Sequence, residues 1–337
     1  MTILNHDFLA LTLANPHSIA PFELDFPSGT GVVEDTGIFR LEPHQAKQDI
    51  SLVLSVGVHG NETGPIELVN ELLIQILSGR LTLGIRLLVL IGNPVAANAG
   101  KRFCEVNLNR LFHGGWQGYQ GFEAKRAERL EQAINDFYRD LDEKHTKLHY
   151  DLHTAIRGSE HEKFVVYPYV KEARYSKQQL SFLAASGIDA VLLSHQATTT
   201  FSFHSYETYG AHAFTIELGK VYPFGQNDLS RFTQMESSLC LLLEEGTFAQ
   251  SEISLLSIFT VLDALIKDDE SYQLNIAEDA NNFSQFESDF LLSSSKKSEY
   301  RVKQSGDAIV FPNTNLPIGQ RAGLVVRPIS AHDLSYV

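Results

Sequence analysis

Two stretches of the chain, Leu52–Val58 and Leu87–Ile91, are apolar along their length rather than at alternate positions. That is the pattern of strands covered on both faces. Around them, apolar runs and apolar stripes take turns. Strands are predicted at Ser51–Val58, Ile85–Ile91, Leu148–Leu152, Phe164–Tyr167, Ala190–Leu193 and Ala211–Ile216. Helices are predicted at Glu62–Leu77, Ala124–Leu141, Ser176–Ala185 and Leu229–Glu245. The first of these helices carries its stripe on Ile66, Val69, Leu72, Leu73 and Ile76, spaced for one helical face. Alternating strands and helices with buried strands imply an α/β layer fold. Residues 1–50 read as lead-in, with short strand-like pieces such as Gly37–Leu41.

The texture changes near residue 246. A polar linker, Gly-Thr-Phe-Ala-Gln-Ser-Glu, precedes short strand-like runs at Ser254–Val261, Tyr272–Leu274, Tyr300–Val302, Ala308–Phe311 and Leu324–Arg327. Polar clusters separate them, so a small all-β unit is expected. The chain therefore divides into an α/β unit at 1–246 and a β domain at 247–337. The second unit could be purely structural or could wall the mouth of a site; the pattern leaves both open.

Composition narrows the partners. A net charge of −14 argues against nucleic acid or an anionic membrane surface, which need clustered Lys and Arg. It does not argue against a small anionic substrate, because a few cations in a cleft dominate the local field. No apolar run is long enough for a membrane span, and the first residues lack a basic segment followed by an apolar one. Cys104 and Cys240 are too few for a disulfide framework, and two buried free thiols in a reducing cytoplasm are expected. A homo-oligomer is compatible with all of this.

Candidate chemistry sits at the strand ends. His59 and Glu62 follow the first apolar strand where it gives way to a helix, and His153 follows Leu148–Leu152. An imidazole and a carboxylate three positions apart can close on one ion. Two His and one Glu with an open fourth position is the ligand set of a hydrolytic zinc site. On its own, His-x-x-Glu is common, and the bland alternative is a loop His beside a Glu that favours the helix dipole. Gly57 and Gly60 flank His59 and permit a tight turn. A further strand-like run ends in Glu217, a carboxylate outside the metal set. The long loop after Ile91 carries Lys101, Arg102 and Arg110 in an otherwise acidic protein, which points to carboxylate binding. His195, His204 and His212 read as packing or surface residues.

The order His59-x-x-Glu62, Arg102, Asn109-Arg110, Asp151-Leu152-His153, Ile216-Glu217 resembles the zinc carboxypeptidase superfamily, and within it the aspartoacylase/succinylglutamate desuccinylase branch. Longer runs carry the likeness across nearly the whole chain: Asp151-Leu152-His153-Thr154-Ala155-Ile156-Arg157-Gly158-Ser159, Glu217-Leu218-Gly219-Lys220 and Pro223-Phe224-Gly225-Gln226-Asn227-Asp228-Leu229. The resemblance implies a mixed sheet sandwiched by helices with a small C-terminal all-β domain. It implies one Zn²⁺ per subunit on His59, Glu62 and His153, with Glu217 as general base and Arg102 polarising the scissile carbonyl. Asn109 and Arg110 match a carboxylate-binding pair. The expected reaction is hydrolysis of N2-succinylglutamate, the last step of arginine catabolism by the succinyltransferase pathway. A related deacylase with another acyl group, and a non-catalytic binding protein, are the rivals. Because that substrate has three carboxylates, Arg157 and Lys220 are further candidates. One departure stands out: the branch commonly has Asp where this chain has Asn107, and its expected effect is weaker positioning of a neighbouring Arg. Asp151, two residues before His153, is expected either to accept that ring's other N–H or to cap nearby backbone.

Overall fold

The computed structural model describes residues 2–337. Residues 1–50 are more than lead-in. Helix α1 (Phe8–Ala14) is capped by Asp7, and β1 (Phe22–Phe26), β2 (Gly29–Asp35) and β3 (Ile38–Pro43) form an antiparallel edge of the main sheet. Their alternating, partly polar faces hide them from a search for continuous apolar runs.

The alternating segment follows as β4 (Ile50–Val56), α2 (Thr63–Leu77), β5 (Arg86–Ile91), α3 (Pro94–Asn98), α4 (Phe122–Tyr138), β6 (Thr146–Ala155), β7 (Phe164–Tyr167), β8 (Arg174–Tyr175), α5 (Lys177–Ala185), β9 (Ala190–Leu193), α6 (Phe201–Tyr209), β10 (His212–Lys220) and α7 (Thr233–Glu245). The all-apolar runs have a direct cause. Leu52, Leu54, Val56, Leu87, Val89 and Ile91 face a core shared with α2, α5 and α7. The intervening Val53, Leu88 and Leu90 face a second core with α4 and Phe201. With helices on both faces, neither set of side chains meets water.

After residue 246 come β11 (Ser257–Ile266), β12 (Gln273–Leu274), β13 (Ser284–Phe286), β14 (Leu291–Ser294), β15 (Glu299–Arg301), β16 (Asp307–Val310) and β17 (Arg321–Ile329). These strands do not stand apart. Strand β11 pairs parallel with β9, from Ser257 opposite Ala190 to Thr260 opposite Leu193. The result is one mixed sheet of 13 strands, ordered β1-β2-β3-β5-β4-β6-β10-β7-β9-β11-β17-β16-β13, with β12, β14 and β15 as a small separate sheet. At its centre β5, β4, β6 and β10 run parallel, so their carboxyl ends open on one side, where such sheets build their sites. Among the described residues, no helix is long and apolar enough to cross a membrane.

Candidate active site

The carboxyl ends of β4, β6 and β10 bring three segments together. Register sets the positions: Val56 lies opposite Leu152, and Glu217 lies opposite His153 on the neighbouring strand. Both His153 and Glu217 lie inside their strands rather than at the ends expected from the apolar runs. Polar residues there face the site, so the strand outlasts its apolar signal.

Beyond β4 the chain turns at Gly57, whose φ of +62° favours glycine. At Gly60 a Cβ would stand 2.2 Å from the Ala97 backbone nitrogen, so only glycine fits. The Gly60 N–H donates to the Arg102 carbonyl at 3.0 Å, which ties the His59 turn to the basic loop. Glu62 occupies the N-cap position of α2 but makes no side-chain capping bond. Its carboxylate turns instead into the cluster: Oε1 is 2.9 Å from His59 Nδ1, and Oε2 is 2.8 Å from His153 Nδ1. All three residues are buried, and their ligand-type atoms lie within 4.8 Å of one another. His59 Nδ1 has no hydrogen-bond partner despite its closeness to Glu62, because the geometry is wrong for one. A buried ring nitrogen facing a carboxylate oxygen in that way suits a cation between them, and the donor set is one that divalent metals accept.

Each imidazole is fixed from behind. His153 Nε2 meets Asp151 Oδ2 at 2.8 Å, which settles Asp151 as the acceptor for the ring's other N–H. Asp151 accepts in turn from Ser55 Oγ at 2.6 Å. Ser55 meets His149 Nε2 at 2.8 Å, and His149 Nδ1 meets Ser205 Oγ at 2.7 Å. Burial pushes His149 down to about 4, so it is neutral in this chain of contacts. Behind His59 stands Asn107, its Oδ1 2.9 Å from His59 Nε2. The expected partner of residue 107, a neighbouring Arg, is therefore replaced by a ring of the cluster itself.

The electrostatics divide the carboxylates. Burial alone would raise Glu62, but the charges of His59 and His153 carry it well below the usual carboxylate range. Burial alone would lower His153, but Asp151 and Glu62 hold it well above 6.5. Burial takes His59 below its ordinary value, although Glu62 pulls the other way. Glu217 is pushed up to about 7 by burial and by the charge of Glu62, and its Oε2 has no hydrogen-bond partner. A carboxylate near neutrality with a free oxygen has the character of a general acid–base group.

Cations flank the cluster. Arg102 Nη1 donates to Glu62 Oε1 at 2.6 Å. Asn109 Oδ1 accepts from the Phe201 N–H at 2.9 Å, which leaves its Nδ2 as the donor. Arg110 Nη1 reaches the Asn109 carbonyl at 2.8 Å. Arg110 is exposed, yet desolvation by the protein packed around its charged end, with the charges of Arg321 and Arg102, lowers it to about 10, still cationic at neutral pH. Arg321, from the start of β17, lies in a run, Arg321-Ala322-Gly323-Leu324, that resembles the family but to which the sequence assigns no site role, and neither it nor Arg110 is in an ion pair among the described residues. Arg157 and Lys220 are placed differently. Arg157 Nη1 donates to the carbonyls of Glu278 and Ala280. Arg157 and Lys220 line a neighbouring cavity of about 280 Å³ with Glu162, Asn227 and Arg231, and His59, Glu62, His153 and Glu217 are not among its lining residues. His204 is buried, whereas His195 is largely exposed; partial desolvation, and then the nearby charge of Arg321, lower it. Both cysteines are free, but Cys104 is exposed, contrary to the expected burial, because its loop runs over the surface.

A buried His-Glu-His cluster able to hold a metal ion, beside a carboxylate poised near neutrality at the carboxyl edge of a helix-covered mixed sheet, is an arrangement of the kind that metal-dependent hydrolases use. Comparison with known proteins narrows this. The succinylglutamate desuccinylase/aspartoacylase catalytic-domain model matches residues 48–243, and the AstE/AspA barrel-sandwich hybrid domain model matches residues 254–329. A curated succinylglutamate desuccinylase of Shewanella piezotolerans is 44% identical over 328 residues, covering 95% of both chains. The solved succinylglutamate desuccinylase structures of Vibrio parahaemolyticus and Chromobacterium violaceum are 33% and 36% identical, with TM-scores of 0.89 and 0.86. Each covers 96% of this chain, which spans 95% and 98% of theirs. The chain belongs to the succinylglutamate desuccinylase/aspartoacylase family.

Proposed function

We propose that this protein is a zinc-dependent amidohydrolase that converts N2-succinylglutamate to succinate and glutamate, the closing step of arginine catabolism by the succinyltransferase pathway. The observation that carries the chemistry is the placement of Glu217 directly across from His153, beside the buried cluster. The acyl group follows the relatives, whose name is succinylglutamate desuccinylase at 44% identity over nearly the full length. The two free cysteines support a reducing, cytoplasmic setting.

His59, Glu62 and His153 are the residues that would hold the ion. When bound, a divalent metal supplies Lewis acidity, lowering the pKa of a water and polarising the scissile carbonyl. Glu217 accepts the proton of the attacking water as the new C–O bond forms. It returns that proton to the departing amine as the C–N bond breaks, so the two products leave balanced. Arg102 places a cationic donor at the cluster's edge, where the tetrahedral oxyanion develops. Asn109, Arg110 and Arg321 bind substrate carboxylates, and the repulsion between the two guanidinium groups is what an anion relieves. Arg157 and Lys220 stand further out and serve at most the far end of the cleft.

Two outcomes follow for substrates and variants. Removing the succinyl carboxylate leaves a guanidinium without its partner, so N2-acetylglutamate should fall roughly 10²-fold or more below N2-succinylglutamate in kcat/KM. A reversed preference, or a preference for N-acetylaspartate, would reassign the acyl group. Arg321→Ala should raise KM about tenfold or more with kcat little changed, since a charged hydrogen bond is worth about 1.5–3 kcal/mol and serves binding. Steady-state kinetics on purified protein reads both.

A further inference from the structure

His59 and His153 face Glu62 alike, but different chemistry stands behind them. Behind His153 is the carboxylate of Asp151, at 2.8 Å from Nε2. Behind His59 is the neutral amide of Asn107, at 2.9 Å from Nε2. The backbone N–H of Asn109 donates to the same Asn107 oxygen at 3.0 Å, which fixes which end of the amide is the oxygen. An oxygen there can only accept, so His59 Nε2 carries the proton and Nδ1 keeps its lone pair. Nδ1 then faces Glu62 Oε1 at 2.9 Å without a hydrogen-bond geometry. Two acceptors that close, away from water, are stable only with a cation between them.

We propose that Asn107 is a positioning residue that holds His59 in the Nδ1-ligating tautomer while withholding the negative charge that Asp151 lends to His153, so that the centre binds its divalent ion less tightly than a site backed by two carboxylates. The inference rests on the reading of the cluster as a metal centre. A carboxylate behind a ligand imidazole raises the basicity of the ring, whereas an amide orients it without that gain. Charge balance gives the arrangement a use. A divalent ion and Arg102 are matched by Glu62, Asp151 and an ionised Glu217, so the centre is close to neutral. A further carboxylate, at residue 107, would leave it net negative, next to a cleft whose proposed substrate is an anion. Asn107 thus exchanges metal affinity for a less repulsive site.

The test is the Zn²⁺ dissociation constant, measured against a competing chromophoric chelator, for the wild-type chain, N107D, N107A and D151N. N107D keeps an acceptor for both the His59 ring and the Asn109 N–H and adds only charge. It should bind Zn²⁺ about tenfold or more tightly than wild type and release it correspondingly more slowly. N107A, which frees the tautomer, should bind about tenfold or more weakly. An N107D affinity equal to or below that of wild type would overturn the proposal. Should circular dichroism show N107D unfolded, D151N decides: weaker binding by a similar factor supports a charge effect behind the ligand, and unchanged binding overturns it. A wild-type chain that binds no Zn²⁺ would remove the metal-centre reading and this inference together. Binding by wild type without tightening in N107D removes the inference alone.

Discussion

Glu217→Gln is expected to lower turnover of N2-succinylglutamate by about 10²–10⁴-fold while the protein keeps its metal. The substitution preserves size and removes only the ability to take and return a proton. Glu217 contributes no ligand atom to the metal-type cluster, so zinc content, read by elemental analysis, should match that of wild type. The pH profile carries a second signature. Burial and the charge of Glu62 push Glu217 up to about 7, and a cation on His59, Glu62 and His153 pulls it back down. The base works only when ionised, so kcat/KM of the metal-loaded wild type should fall with falling pH, with its acid limb below 7. Chelator-free E217Q should show no such limb in whatever rate remains. A variant that loses zinc along with activity would point to a structural role for Glu217 instead.

Stripping the ion should be the other large effect. Chelation is expected to take activity to background and to lower thermal stability, with restoration on adding Zn²⁺. At a free ion concentration of about 1,000 Kd the bound metal contributes roughly 4 kcal/mol, which differential scanning calorimetry resolves. The pH dependence of the stripped protein follows from two opposite shifts. His153 is held above its ordinary 6.5, so its contribution is fully present below that value and is lost as pH rises through the elevated one. Glu62 is held below its ordinary 4.5, so its contribution is present above that value and is lost as pH falls through the depressed one. The stabilisation from this pair is therefore largest in mildly acidic solution, with Glu62 ionised and His153 protonated. Metal and proton compete for the same His153 nitrogen. The stabilisation by Zn²⁺ should grow with pH, and Zn²⁺ uptake should release protons, seen by calorimetry in buffers of different ionisation enthalpy.

The parts of this site that the sequence made legible are those tied to local pattern. Apolar runs on both faces marked β4 and β5, and the short turn after β4 put His59 and Glu62 in view. What escaped depends on pairing between distant segments. The register that sets Glu217 beside His153 joins strands more than 60 positions apart, and the runs of apolar residues placed both at strand ends when each strand continues past them. Asn107 drew attention as a departure, but its contact with His59 spans 48 positions and no local rule gives it. Arg321 comes to Arg110 only because β11 joins β9 and carries β17 with it. Helix α6 was missed because its residues, Phe-Ser-Phe-His-Ser-Tyr-Glu-Thr-Tyr, lack a clean helical stripe. It is stable through packing of Phe201 on Phe112 and His149 rather than through propensity.

The most direct test is the appearance of succinate and free glutamate when zinc-loaded protein meets N2-succinylglutamate, with E217Q at equal zinc content alongside. The expected result is one succinate for each glutamate from wild type and almost none from the variant. No release by folded, zinc-loaded wild type, or equal release by the variant, would contradict the central claim.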